Sequence, residues 1–432
     1  MLKRILYFYS ISFPIALQNL ILSSKSFVDT YLLTLSSSES VSAVGIASKI
    51  LLVAFIVISG ISTGSGYVMS QNSGNDEHIN YATKFSIKLG VGVSIFIVVF
   101  VFYIKKYILA YTTENENLID LSSLYIDMIA PTLLLVSITA TISNLIRIKG
   151  DYKTPSYISM VSVIINILFS YVLIAKFSLG VKGAAYGTII SSIVELLLIC
   201  FFCLKRFNFQ INSFYENRKL KNNVMTQAFI SSSSGIVWAV GASAFYILIG
   251  TRGSDILYII SVLSPIEALV LSFTIGLSIS TGIEIGKSLP SQPKEHVVRD
   301  AYISIFSSFI ISCLISGLLL FYKGIIFSSF NLNEIGGDSE MFFNIMILVI
   351  FIKSLSIQLM NGVIRAGGDG AFCLRCDFIF QWLFTLPLVW YLNTQSVDTI
   401  LIYAIVVAEE VLKLSVSFWR FYSGKWFRDL AA

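Results

Sequence analysis

The sequence predicts an all-α integral membrane protein: twelve transmembrane helices in two pseudo-symmetric six-helix lobes, arranged as a parallel repeat with both termini in the cytoplasm. Three observations carry this expectation. The 432 residues are 56% hydrophobic and only 13% charged, where a soluble globular domain carries about 25% charge. Mean hydropathy is +0.81, and apolar runs of about 20 residues, each long enough to cross a bilayer as a helix, recur from end to end. A basic connector divides those runs, six before it and six after. The same composition excludes a soluble core, a disordered tail and a nucleic-acid-binding surface.

The apolar segments run over residues 5–35, 41–70, 82–103, 118–145, 157–175, 181–204, 225–250, 255–285, 301–322, 341–364, 374–392 and 399–421. The first follows Lys3 and Arg4, but it is too long for the apolar stretch of a signal peptide and lacks a small-x-small cleavage site, so it is read as helix 1. Pro14 removes one hydrogen bond inside that helix and primes it to bend. In helix 2, Gly60, Gly64 and Gly66 permit close packing of a neighbouring helix. With the N-terminus inside, the inner connectors collect nineteen Lys and Arg residues and the outer connectors six. The positive-inside rule therefore places both termini in the cytoplasm.

The connector that follows helix 6 sets the domain boundaries: an N-terminal lobe over 1–204, a basic cytoplasmic linker over 205–224 and a C-terminal lobe over 225–432. The two lobes echo each other. Asn144-Leu-Ile-Arg147-Ile-Lys-Gly150-Asp151, between helices 4 and 5, recurs 218 residues later as Gly362-Val-Ile-Arg365-Ala-Gly-Gly368-Asp369. Equivalent helices run in the same direction, an arrangement that transporters use to build a site at the repeat interface. Arg147 and Asp151, like Arg365 and Asp369, are expected to brace the inner helix ends.

Depth along the helices, at 1.5 Å per residue, brings polar groups together in the outer leaflet of the N-terminal lobe. Asp29 sits ~9 Å below the outer end of helix 1, Ser170 ~8 Å down helix 5, Thr188 ~10 Å down helix 6 and Asn166 ~14 Å down helix 5. Lys25 lies one turn deeper than Asp29 on the same face. Lys49 and Asp127 fall ~12 Å and ~13 Å from the outer surface, so both are candidate counter-ions with Lys25. A charge at such depth costs at least ~2.5 kcal/mol and should face a partner or a water-filled cavity. For Asp29 two readings are open, a structural partner of lysine or the carboxylate that takes the coupling ion.

The motifs resemble a known family. Ser12-Phe-Pro14-Ile with Phe27-Val-Asp29-Thr, then Arg147-Ile-Lys-Gly150-Asp151-Tyr-Lys153-Thr154-Pro155, Asn166, Gly180-Val-Lys-Gly183-Ala184-Ala185-Tyr-Gly-Thr188 and Arg365-Ala-Gly-Gly368-Asp369 match, in order, the pattern of MATE (multidrug and toxic compound extrusion) transporters of the MOP superfamily. The resemblance covers nearly the whole chain. It implies a secondary active antiporter that exports amphipathic organic cations in exchange for protons or sodium by alternating access. Asp29 matches an acid tied to cation coupling, and Asn166 and Thr188 match the Asn and Thr that join it. Ser170 stands where archaeal and DNA-damage-inducible relatives place a second carboxylate, and Trp238 and Ser354 fall where sodium-driven exporters carry acids in the second lobe. A site poorer in carboxylates favours a proton over sodium, which wants several oxygen ligands.

In the C-terminal lobe, Trp238, Glu267 and Lys353 are the candidates for a substrate cleft, with Glu409, Glu410 and Lys413 as further charges inside the membrane. The alternative function is a lipid-linked glycan flippase of the same superfamily, for which Lys25, Lys49 and Lys353 would supply a cationic cavity. A membrane enzyme lacks candidates, because His78 and His296 lie in polar connectors. Five cysteines give no disulfide framework. Zinc shared by Cys200, Cys203, Cys373 and Cys376 is disfavoured, because cysteine is a common apolar filler. Neither metal nor cofactor is expected beyond the coupling ion. The partners are organic cations and the lipid bilayer, and the chain is expected to act as a monomer in a cell membrane, in bacteria the inner one.

Overall fold

The computed structural model describes residues 2–34, 36–112, 115–207, 217–335, 337–395 and 397–431, which fold into helices. They are α1 (Leu2–Thr34), α2 (Ser38–Gln71), α3 (Asp76–Thr112), α4 (Glu116–Ile129), α5 (Thr132–Ile148), α6 (Lys153–Tyr171), α7 (Gly180–Phe207), α8 (Arg218–Gly250), α9 (Ser254–Ser291), α10 (Lys294–Phe321), α11 (Lys323–Ser329), α12 (Gly337–Ile357), α13 (Gly370–Asp377), α14 (Leu386–Asn393) and α15 (Thr399–Tyr422). Wider π turns extend α6 over Val172–Lys176 and α12 over Gln358–Ile364, and join α13 to α14 over Phe378–Thr385.

Of twelve expected spans, ten helical segments among the described residues are long and apolar enough to cross a membrane, eleven if α4 and α5 are one span bent by 42°. The segment left over is α15, which has the length but carries Glu409, Glu410 and Lys413 in its middle. The bend between α4 and α5 falls at Ala130–Pro131, where the proline ring lacks an N–H and crowds the preceding turn. α1 runs unbroken through Pro14.

Two compact units divide the chain, and neither boundary coincides with the basic connector. The N-terminal unit comprises Ile21–Ser233 and the residues from Leu430; the C-terminal unit comprises Ser234–Asp429 and the residues up to Leu20. The start of α1 is tied into the C-terminal unit by Arg4, which grips Asp300 with two hydrogen bonds at 2.6 and 3.2 Å, and by Tyr7, whose hydroxyl donates to Glu284 at 2.9 Å. Leu430 is held in the N-terminal unit, its N–H donating to Gln71 at 2.8 Å and its carbonyl accepting from Asn223 at 3.0 Å. Of the expected linker over 205–224, the first residues still belong to α7 and those from Arg218 belong to α8. Residues 208–216 lie outside the described residues.

The core of the N-terminal unit gathers Leu51, Ile58, Ile61, Val98, Ile126 and Leu133 from α2 to α5 with Ala184 and Ala185 of α7. In the C-terminal unit, Phe342, Phe343 and Met346 of α12 pack with Leu263 of α9 and Tyr403 of α15. Lipid tails are as apolar as leucine, so close contact between small residues decides which helix faces meet. A Cβ on Gly60 would lie 2.5 Å from the Ser232 backbone, and one on Gly64 would overlap the Gln227 carbonyl. Gly64→Ala is therefore expected to destabilise the protein by about 1–3 kcal/mol, as overpacking does. Gly45→Ala, in the same helix with nothing within 4 Å of the added carbon, is the control. Thermal unfolding in detergent checks the pair, and equal melting temperatures would dismiss the close α2–α8 contact.

The repeated connectors share one backbone device. Gly150 has φ +96° and Gly368 φ +94°, left-handed values that a side chain rarely adopts. Each following aspartate finds an arginine from the last helix of its own half. Asp151 pairs with Arg206 at 2.6 Å, and Asp369 pairs with Arg420 at 2.6 Å and Arg428 at 2.9 Å. Asp151 lies outside the spans. Burial there favours the neutral acid, but hydrogen bonds from Thr154 and Lys153 and the Arg206 charge outweigh it and hold the carboxyl below the usual carboxylate range. Its contribution to stability is present near neutral pH and is lost as pH falls through that lowered value.

Candidate functional site

Helical rise and periodicity bring three helices of the N-terminal unit to one point. Asp29 is on α1, Asn166 on α6 and Thr188 on α7. Asn166 is fully buried, and its amide is oriented by its neighbours. The amide oxygen accepts from the Thr188 N–H at 3.1 Å and hydroxyl at 3.2 Å, which leaves its nitrogen to donate to Asp29 Oδ1 at 3.3 Å. α6 and α7 approach closely because Gly187 lies against Ser170. The Ser170 hydroxyl is buried there with no hydrogen-bond partner among the described residues. Tyr125 of α4 is buried, hydrogen-bonds Ser48 of α2 and lies within the field of Asp29.

The remaining polar candidates of this unit separate. Lys25, one turn from Asp29, feels that carboxylate and also Glu195. Asp127 instead pairs with Lys105, which the sequence places in an outer connector but which α3 carries within its extended final turns. Lys49 is exposed and forms no ion pair among the described residues. Depth fixes one coordinate only, and the azimuth around each helix sends these two away from Asp29.

Glu195 is the acid that the sequence reading passes over. It lies on α7 and accepts a hydrogen bond from the Ser159 hydroxyl of α6. An ionisable group inside an apolar run was itself the signal, as was its place seven residues after Thr188, two turns along the same helix face.

In the C-terminal unit, Trp238, Glu267 and Lys353 meet. Lys353 Nζ donates to Glu267 at 2.7 Å and stands 6.0 Å from the centroid of the half-exposed Trp238 ring. Beyond this pair the charges continue as a buried network. Lys413 lies 2.6 Å from Glu409, 3.9 Å from Glu410 and 4.0 Å from Asp377, while Arg365 pairs with Asp377 at 3.1 Å and donates to Ser234 at 2.6 Å. Arg365 thus faces Asp377, twelve residues along. Ser354, the residue after Lys353, accepts a hydrogen bond from the Thr274 hydroxyl at 3.1 Å.

The chain is 28% identical over 208 residues to the probable multidrug resistance protein YpnP of Bacillus subtilis, a match covering 47% of this chain and 46% of that protein. It is 23% identical over 398 residues to the probable multidrug resistance protein NorM of Photorhabdus laumondii, covering 90% of this chain and 86% of that one. The fold matches an outward-facing multidrug resistance MATE family transporter of the MOP superfamily with a TM-score of 0.89 at 14% identity, over 96% of this chain and 95% of that structure. The MatE family matches residues 14–172 and, a second time, residues 233–391, so both halves carry the family's repeat and the chain belongs to the MatE family of multi-pass membrane transporters.

Proposed function

We propose that the protein is a secondary active antiporter that exports amphipathic organic cations in exchange for protons by alternating access, working as a monomer with both termini in the cytoplasm. The observation that carries the proton reading is the polarity of the groups around Asp29. Asn166 offers Asp29 an N–H and turns its oxygen toward Thr188. Lys25 adds a positive charge. A sodium ion needs converging oxygens and net negative charge, which a donor and an ammonium oppose, whereas a single carboxyl can carry a proton without further ligands. The names of the multidrug resistance relatives support the substrate class. So does Trp238, whose half-exposed ring suits a planar cation once Lys353 yields its face.

The flippase alternative asks for unpaired cations to hold a pyrophosphate. Lys353 is bound to Glu267 at 2.7 Å, which supports the exporter reading. Inverted membrane vesicles loaded with an acidic lumen should accumulate ethidium, and an imposed sodium gradient at uniform pH should not. Accumulation driven by sodium alone would reassign the coupling ion. Indifference to both gradients, together with a lipid-linked glycan building up in cells that lack the protein, would favour the flippase.

A further inference from the structure

Beyond Asp29, the N-terminal unit holds a second carboxylate inside its spans. Glu195 lies on the same α6–α7 seam as the Asp29 site, along which polar groups form separate hydrogen bonds. Asn166 links Asp29 to Thr188. The hydroxyls of Ser191 and Ser192 both donate to the Thr188 carbonyl, at 2.9 and 2.8 Å. Ser162 donates to the Ser191 carbonyl at 3.0 Å, and Ser159 donates to Glu195. The seven residues from Thr188 to Glu195 advance the seam by ~10 Å toward the inner end of α7.

No basic nitrogen comes within ion-pair distance of Glu195 among the described residues; its contact is a single neutral hydroxyl. Two cations face it from other helices, Lys25 of α1 and the buried Arg147 of α5. Lys25 is shared, since it lies in the field of Asp29 as well. Glu195 is thus a partly buried carboxylate inside a span with a neutral donor as its contact, a placement that marks an intramembrane acid as a functional candidate.

We infer that Glu195 is a second proton-binding residue of the transport cycle, in series with Asp29 and nearer the cytoplasm. This rests on the proton-coupled reading of Asp29. In the step proposed, the Asp29 carboxyl gives up its proton and the Glu195 carboxylate takes it. Lys25 remains an ammonium throughout, in the field of both carboxylates, so the number of charges in the seam is unchanged. Release from Glu195 toward the cytoplasm completes the passage.

Reconstituted protein separates this from a structural role, with ethidium as the probe and two readouts, uptake driven by a pH gradient and exchange without a gradient. Glu195→Gln should lose driven uptake and keep exchange, and Glu195→Asp should recover driven uptake. Loss of both activities in equal measure, or retention of both, overturns the inference. If Glu195→Gln does not fold, Ser159→Ala decides. Removing the hydroxyl that Glu195 accepts from should move the pH profile of driven uptake and leave exchange intact; an unmoved profile overturns the inference. Asp29→Asn, run in parallel, keeps the two readings apart. Full driven uptake in that variant removes the coupling site itself, whereas its loss beside normal uptake in Glu195→Gln removes Glu195 alone.

Discussion

Asp29→Asn should bring gradient-driven export down to background in protein that is folded and inserted at the parental level. The asparagine keeps the size of the aspartate, and its carbonyl still accepts from the Asn166 nitrogen that now donates to Asp29 at 3.3 Å. Lys25 is not stranded by the change, since Glu195 continues to oppose it. What disappears is the group that titrates. A second variant, Asp29→Asn with Lys25→Ala, separates carriage of a proton from mere charge balance. If Asp29 only compensates Lys25, removing both charges restores transport. If Asp29 carries the proton, the double variant stays inactive. Rates must be taken per folded molecule, because an unpaired buried charge can cost ~3–5 kcal/mol of stability by itself. Undiminished driven export in Asp29→Asn would leave the polar layer of the N-terminal unit as scaffolding.

The convergence of Asp29, Asn166 and Thr188 was legible in the sequence because helical rise converts residue number into depth, and three polar groups at one depth in apolar helices have little alternative to meeting. Direction around the helix axis was less legible. Asp127 shares the depth of Asp29 yet turns to Lys105, and Lys49 is exposed. Such choices are set by which small residues let helices approach, as Gly187 does against Ser170. The helix ends also resisted reading. α3 continues to Thr112, past the basic pair that marks a connector in the sequence, because Lys105 finds its acid on α4. Proline shows the same dependence on context. One helical pattern over residues 118–145 hides the bend at Pro131, while Pro14 leaves α1 continuous. The boundaries of the compact units follow side chains far apart in sequence, Arg4 with Asp300 and Gln71 with Leu430, which no periodicity announces.

In the C-terminal unit the largest effect on stability should come from Lys413→Met. The lysine is almost fully buried, 4% exposed, and its ammonium is the only cation within 4.0 Å of Glu409 and Glu410 among the described residues. It also stands 4.0 Å from Asp377, which keeps Arg365 as its own partner. Methionine fills much the same volume, so packing is largely preserved and the loss is electrostatic. Two buried glutamates are left without their contact cation, and breaking a buried pair from one side costs ~3–5 kcal/mol. The melting temperature in detergent should fall well below that of the parent. Lys353→Met, which deprives Glu267 of its 2.7 Å partner at a less buried position, should fall less. The paired change Lys413→Met with Glu409→Gln removes charge from both sides of the closest contact and should recover a large part of the loss, since a buried ion pair contributes little once both members are neutral. Should Lys413→Met melt with the parent, the network would not be held together by this lysine.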